Sequence, residues 1–493
     1  MKILMLNPPY FPLFSRSSRS PSVAKSSTLY YPFFLSYAAG VLEDAGFEVC
    51  LIDAPAEGLT RKAVIERIHN LRPDMAVCET STPSIENDME VAGEIKAAGV
   101  PFVAAVGTHV SALPEEVLSR CSPLDVAVRR EYEYTIRELA RRLEKEGPRM
   151  DPEGIEGVSF RRDGAVMHNA DRPLIENLDE LPFVSRVYRD HLRRHIKSYF
   201  YGANMYPLVT ILSGRGCIHR CAYCVYPQTM TGNLYRLRGV ANLVDEFEFV
   251  KRELPEVREI FIEDDTLTVD RSRARAIAEE IIRRGLRITW SANSRPDVDF
   301  DTMKLMRKAG CRLFCVGFES ASREILKGLG KHTEPDNYMK FRKDAARAGI
   351  LIHGCFMYGN EGETPATMRR TLEMAKRLNC DTAQFYPIMV YPGTRAYNEY
   401  KKKGYIKSHD YREWLTPEGL HNCVVSLPGI SSRELVEFCD LSRKEFYLRP
   451  GYILSKITQI ISRPSEMRRI LRSANSLRRY LFRPLKKKHG RRL

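Results

Sequence analysis

No run among the 493 residues approaches the ~18 apolar positions that a membrane-spanning helix needs, which excludes a helical integral membrane protein. The start, Met1-Lys2-Ile3-Leu4-Met5-Leu6-Asn7-Pro8-Pro9, carries one charge and a short apolar stretch that Pro8 ends. It is too short for a secretory signal and reads as a first β-strand. No internal repeat is visible. The 12 cysteines include no second C-x2-C pair to complete a four-ligand zinc site. Most of them sit in apolar, strand-like stretches, a usage that fits a reducing cytoplasm and argues against a disulfide scaffold. A generally basic surface is missing too. Residues 465–493 hold eleven Lys/Arg and one acid, ten of the fifteen net positive charges, so the rest of the chain carries only five.

What is present is a cysteine triplet. Cys217, Cys221 and Cys224 stand in Ser213-Gly214-Arg215-Gly216-Cys217-Ile218-His219-Arg220-Cys221-Ala222-Tyr223-Cys224, directly after an apolar run, 208–212. Three thiolates this close can hold three irons of a cubane cluster and leave the fourth iron without a protein ligand, where a small molecule can bind and receive an electron. The competing reading is zinc with His219 as the fourth ligand, a placement that would strain a tetrahedral site. The C-x3-C-x2-C spacing, with Tyr223 before the last cysteine, resembles the signature of the radical S-adenosylmethionine (radical SAM) enzymes. That resemblance implies a [4Fe-4S] cluster on these three cysteines, with SAM chelating the open iron and yielding a 5′-deoxyadenosyl radical.

The first ~145 residues alternate apolar runs (3–7, 48–53, 75–79, 102–107, 125–128) with amphipathic stretches, the pattern of a doubly wound parallel sheet. Ligands of such sheets sit beyond the carboxyl ends of the strands. Here those ends carry Asn7-Pro8-Pro9, Asp53-Ala54-Pro55, Thr80-Ser81-Thr82-Pro83 and Gly107-Thr108-His109. After a connector with a hairpin turn at Asp163-Gly164, six further strands are expected at 208–212, 259–263, 288–292, 313–318, 352–358 and 384–390. Their C-terminal ends hold the polar residues, as in (β/α) barrels.

Those ends continue the resemblance. Glu263-Asp264-Asp265 stands where the family binds the SAM amino group, although its Gly-Gly-Glu form is absent. Asn293 and Arg295 end the third strand, and Arg295 is a two-pronged candidate for the SAM carboxylate. Gly317 would let a ligand approach the backbone. Glu319 resembles the ribose-contacting residue, with Ser320 beside it as ligand contact or helix cap. Gly359-Asn360-Glu361-Gly362-Glu363-Thr364 resembles the family's Gly-x-Pro-Gly-Glu-Thr turn with departures at Asn360 and Glu361, and Pro392-Gly393-Thr394 matches its last motif. The N-terminal motifs, with Leu178-Asp179-Glu180-Leu181-Pro182, are similar to radical SAM proteins carrying a cobalamin-binding domain. These include the anaerobic Mg-protoporphyrin monomethyl ester cyclases and, above all, the hopanoid cyclitol ether synthases. The cobalt-ligating Asp-x-His-x-x-Gly motif is nowhere in residues 1–145. Arg130 replaces a glycine of the branch's Arg-Gly-Glu-x-Glu and would crowd that corner of the cleft. Cobalamin is thus a further candidate cofactor, with Pro8, Thr82 and His109 as candidate contacts.

The expected organisation is α/β. A flavodoxin-like (Rossmann-type) cobalamin-binding domain (1–147) and a connector (148–202) precede a partial (β/α)6 TIM-type radical SAM barrel (203–430), open sideways to a large substrate. A helical basic tail (431–493) follows. Ile453, Ile457, Ile460 and Ile461, then Met467, Ile470, Leu471, Ala474, Leu477 and Leu481, make two apolar stripes backed by arginines, the form of helices that lie on an anionic membrane. The expected function is C–H activation on a hydrophobic or lipid substrate: methylation, cyclisation or another carbon-skeleton change. A flavodoxin or ferredoxin would donate electrons, at a cytoplasmic location peripheral to the inner membrane face. Nucleic acid is not the expected partner. The rival functions are an RNA methylthiotransferase and a zinc-stabilised nucleic-acid-binding protein. Against the first, the N-terminal half lacks three more clustered cysteines, and no RNA-binding β-domain follows the barrel.

Overall fold

The computed structural model describes residues 1–482. Strands β1 (Lys2–Asn7), β2 (Glu48–Asp53), β3 (Met75–Thr80), β4 (Phe102–Gly107) and β5 (Val126–Val128) pair in parallel in the order 2-1-3-4-5. That is the flavodoxin-like doubly wound order. β3 and β4 are buried along their whole length, as strands with helices on both faces must be. The connector contributes more than a link. Its hairpin, β6 (Val158–Arg162) and β7 (Ala165–His168), adds antiparallel to β5 and makes the sheet seven-stranded. Asp163 and Gly164 both take left-handed φ (50° and 81°), the backbone that a tight hairpin turn requires.

Six parallel strands then follow in strict sequence order: Leu208–Ile211, Glu259–Ile262, Trp290–Ser294, Cys311–Glu319, Leu351–Tyr358 and Thr382–Pro387. Here they are barrel strands one to six. They lie within a few residues of the expected runs, because each is a short apolar segment bounded by turn residues.

The C-terminal helices line the side of this half-barrel. Helix Ser432–Tyr447, opened by a Ser431/Glu434 capping box, packs on barrel strand six. Helices Pro450–Ser462 and Met467–Leu481 continue the wall. A buried ion network fastens the last of them. Arg469 meets Asp381 at 2.8 Å and Glu466 at 2.5 Å, Glu466 meets Arg312 at 3.0 Å, and Arg312 meets Glu259 at 2.9 Å. Lys456 adds a second cation to Asp381 at 2.5 Å, and Arg472 stacks on Tyr206, 3.8 Å from the ring centre. The two apolar stripes therefore face the barrel in part: Ile453, Ile457, Ile460, Ile470, Ala474, Leu477 and Leu481 line a partly open cavity, Ile453 and Ile457 remaining about half exposed. Leu454, Ile461 and Leu471 stay exposed on the outer side. The basic cluster at 483–493 lies outside the described residues. No described helix is long and apolar enough to cross a membrane.

Candidate active site

The cysteine loop leaves barrel strand one and immediately pairs Gly214–Arg215 with Arg236–Leu237. Gly216 follows at φ 84°, and a Cβ there would lie 2.2 Å from the Leu234 carbonyl oxygen, so only glycine fits. Asp264 clamps the loop from below. Its carboxylate accepts from the Ser213 amide (2.7 Å), the Ser213 hydroxyl (2.5 Å), the Gly214 amide (3.1 Å) and the Tyr235 hydroxyl (2.8 Å). Fully buried and spent on these bonds, Asp264 positions the loop and leaves no oxygen for a ligand. Gln228 holds the loop from the other side. Its amide nitrogen donates to the carbonyls of Cys224 (2.8 Å), Cys221 and Ala222 (both 3.2 Å), while its oxygen accepts from the Arg395 amide (2.8 Å). The Pro-Gly-Thr turn after barrel strand six is thereby tied to the cysteines.

All three cysteines line a partly open cavity of about 760 Å³ between the barrel's inner face, residues 15–28 and the C-terminal helices. Burial pushes the Cys217 thiol up to about 11 and raises Cys221 and Cys224 as well. A metal bound by these thiols would have to displace their protons.

Around the cysteines stand three polar groups. Glu263 and Asp265 are bridged by Arg19, which reaches in from the loop after β1; it pairs with Glu263 and lies 3.2 Å from Asp265. Burial, only partly offset by Arg19, raises Glu263 to about 6. Asn293 donates to the Asp264 carbonyl at 2.8 Å and faces the cavity. Arg295 also faces it, held by Asp297 at 3.1 Å and by the His332 carbonyl.

The third group centres on Glu319, which accepts from Tyr223 (3.1 Å), Lys331 (2.9 Å) and Tyr386 (3.0 Å). It therefore joins the cysteine loop to the barrel. Burial alone would lower the Lys331 pKa, but Glu319 and then Cys221 outweigh it and raise it. Glu319 sits at φ 61°, a left-handed backbone uncommon outside glycine, at a register shift between strands four and five. What approaches Gly317 is this pair: a Cβ there would lie 2.3 Å from the Glu319 carboxylate and 2.7 Å from Lys331 Nζ. Ser320 turns away; it is fully buried, accepts from the Ser322 amide at 3.1 Å and faces Thr371.

Arg19, Lys331 and Tyr386 were not singled out in the sequence. Gln228 stands in Pro227-Gln228-Thr229, a stretch after the cysteines that the sequence resemblance includes. Arg19 and Lys331 lie in loops whose destination no local pattern shows.

The carboxyl edge of the first sheet is covered. Pro8, Thr82 and His109 are all buried by the chain's own residues. The Arg16 guanidinium fills the corner, 2.6 Å from Asp88, and donates to Asn7 (2.5 Å) and the Pro8 carbonyl (2.8 Å). His109 meets Thr82 Oγ1 at 3.1 Å and the ring of Tyr411 at 4.9 Å. Arg130 has the left-handed φ (61°) that a glycine would hold, but its guanidinium pairs with Asp171 at 3.0 Å and not across the cleft. Pro8, Thr82 and His109 thus make their contacts within the chain.

The profile of the Radical SAM superfamily matches residues 211–375, and that of the B12 binding domain matches residues 19–140. The chain is a radical SAM protein with an N-terminal B12-binding domain. It is an enzyme of the transferase or cyclase type. An uncharacterized methyltransferase of Pyrococcus horikoshii is 29% identical over 459 residues, covering 93% of this chain and 95% of that protein. The anaerobic magnesium-protoporphyrin IX monomethyl ester cyclase of Rubrivivax gelatinosus is 26% identical over 439 residues, covering 87% and 76%. The radical SAM methyltransferase TsrM of Kitasatospora setae, solved with cobalamin and a [4Fe-4S] cluster, shares the fold. Its TM-score is 0.65 at 20% identity, with 83% of this chain and 76% of that chain covered. Radical SAM chemistry requires a [4Fe-4S] cluster and SAM, and the three cavity-facing cysteines are the donor set that fits the cluster.

Proposed function

We propose that this radical SAM enzyme activates a C–H bond of a bulky, apolar, lipid-like substrate held between the barrel and the C-terminal helices. One observation carries the reading: the inward stripes of the last two helices line the same space as Cys217, Cys221 and Cys224. An apolar wall of isoleucine and leucine opposite a cluster site suits a hydrocarbon body. Its basic outer flank suits an anionic membrane as the source.

In this reading Cys217, Cys221 and Cys224 hold the cluster. Arg295, Asn293 and Glu263 recognise the charged ends of SAM, with Arg19 setting the charge of Glu263. Glu319 fixes Tyr223, and so the loop, while Lys331 and Tyr386 hold Glu319. Cluster and SAM, when bound, supply a 5′-deoxyadenosyl radical after one-electron reduction by a flavodoxin or ferredoxin. The segment 15–28 and the C-terminal helices wall the cavity and limit the access of water to it. The outcome is methylation, cyclisation or another carbon-skeleton change. Cobalamin would be held by the B12-binding domain, residues 19–140.

The test is isotopic. Reconstituted enzyme is incubated with SAM, reductant and a perdeuterated membrane-lipid extract, and 5′-deoxyadenosine is weighed by mass spectrometry. Deuterium in the product, lost on Ile457→Arg, supports the reading. Unlabelled product at undiminished yield would sink it.

A further inference from the structure

A second group of metal-binding side chains faces the cavity apart from the cluster loop. Cys315 lies on barrel strand four, and His353 and Cys355 lie on strand five. The parallel register sets Cys315 beside His353 and Gly317 beside Cys355, so the two-residue alternation of a strand brings all three side chains to the inner face. Their ligand atoms lie within 4.8 Å of one another, and all three residues line the cavity. Among the described residues, this is the one group of three or more that is so gathered.

The spacing discriminates between uses of the two thiols. Their sulfurs are 3.9 Å apart. A disulfide needs about 2.05 Å. A tetrahedral ion with zinc–sulfur bonds of about 2.3 Å separates two thiolates by about 3.8 Å. His353 Nδ1 is 2.7 Å from Thr382 Oγ1, the kind of outer contact that orients a metal-bound imidazole. Two thiolates would also cancel the charge of a divalent cation in an apolar chamber.

We propose that Cys315, His353 and Cys355 bind a zinc ion whose fourth position opens to the cavity. Three protein ligands and one free position are the layout of a zinc that handles a substrate, whereas structural zinc closes all four. The ligand class for that position is an oxygen donor, a hydroxyl, carboxylate or carbonyl, at the polar end of the cavity's occupant. This last step rests on the proposed apolar substrate; the ion itself does not.

Zinc is measured by mass spectrometry of metals on the full-length protein, purified anaerobically, without substrate. Wild type is expected to carry a single zinc ion per chain, with two sulfurs and a nitrogen in its zinc-edge X-ray absorption. The ion should be lost in Cys315→Ser, Cys355→Ser and His353→Gln. It should persist in a variant with all three cluster cysteines changed to alanine. Unchanged iron and cluster absorbance in His353→Gln shows that the fold survives. Zinc that follows the cluster cysteines, or a Cys315–Cys355 disulfide without zinc, would overturn the assignment. Failure of the lipid-deuterium experiment leaves this assay untouched, so the two proposals fall separately.

Discussion

Arg469→Met tests whether the last helix is a wall of the active site or a free tail. The guanidinium is almost wholly buried between two carboxylates, 2.8 Å from Asp381 and 2.5 Å from Glu466. Burial would raise the Asp381 pKa, but Arg469 and then Lys456 hold it well below the usual carboxylate range. Removing one partner of a buried pair typically costs about 3–5 kcal/mol. Here Asp381 keeps Lys456 and Glu466 keeps Arg312, so the low end applies, about 3 kcal/mol. At about 1.4 kcal/mol per tenfold, the undocked population of helix Met467–Leu481 rises roughly 100-fold. Limited trypsin digestion reads that population directly when reclosing is fast, through cleavage at Arg472 and Arg478. The expected result is a clip that is slow in wild type and roughly 100-fold faster in Arg469→Met, with the cluster absorbance unchanged. Asp381→Asn combined with Arg469→Met should cost less than the sum of the two. Equal clipping of wild type and Arg469→Met would refute the docking argument.

Gly216→Ala should abolish cluster assembly, because the left-handed φ and the 2.2 Å approach to Leu234 O leave no place for a methyl group; iron content after reconstitution checks this. Gln228→Ala removes three donations to cysteine-loop carbonyls and should speed iron loss to a chelator severalfold without shifting the melting temperature by more than a few degrees. Burial, partly opposed by Ser17, raises Glu79 to about 7. The folded state therefore holds this proton more tightly than the unfolded chain does. The group's stability contribution is complete below about pH 4.5 and is lost as pH rises through 7, at most about 3 kcal/mol. Glu79→Gln should thus gain on wild type at pH 8 and show little difference at pH 5; equal differences in melting temperature at both would refute it.

The strands were legible because each is a short apolar run ended by glycine, proline or a polar cluster, and in a doubly wound domain or a barrel that pattern nearly dictates parallel pairing. The cysteine triplet was legible for the same local reason: spacing, glycines and the preceding strand all fall within a dozen residues. What stayed hidden depends on distant partners. An amphipathic stripe says that a face is covered, not by what, so the sequence did not show that Ile457 and Leu477 line the cavity beside the cysteines. Arg469 looked like surface charge, because its partner Asp381 belongs to another part of the chain. The β6–β7 hairpin showed its turn but not the edge it would join. Asp264 stood in a run of three acids of which the first and third meet Arg19 while the middle one holds the cysteine loop, a division set by strand alternation and by which side faces the cavity.

Anaerobic reconstitution with iron, sulfide, SAM and a strong one-electron reductant tests the central claim most directly. Wild type should turn brown and release 5′-deoxyadenosine, and Cys221→Ala should release none. A colourless protein that leaves SAM intact, or a Cys221→Ala variant as active as wild type, would contradict it.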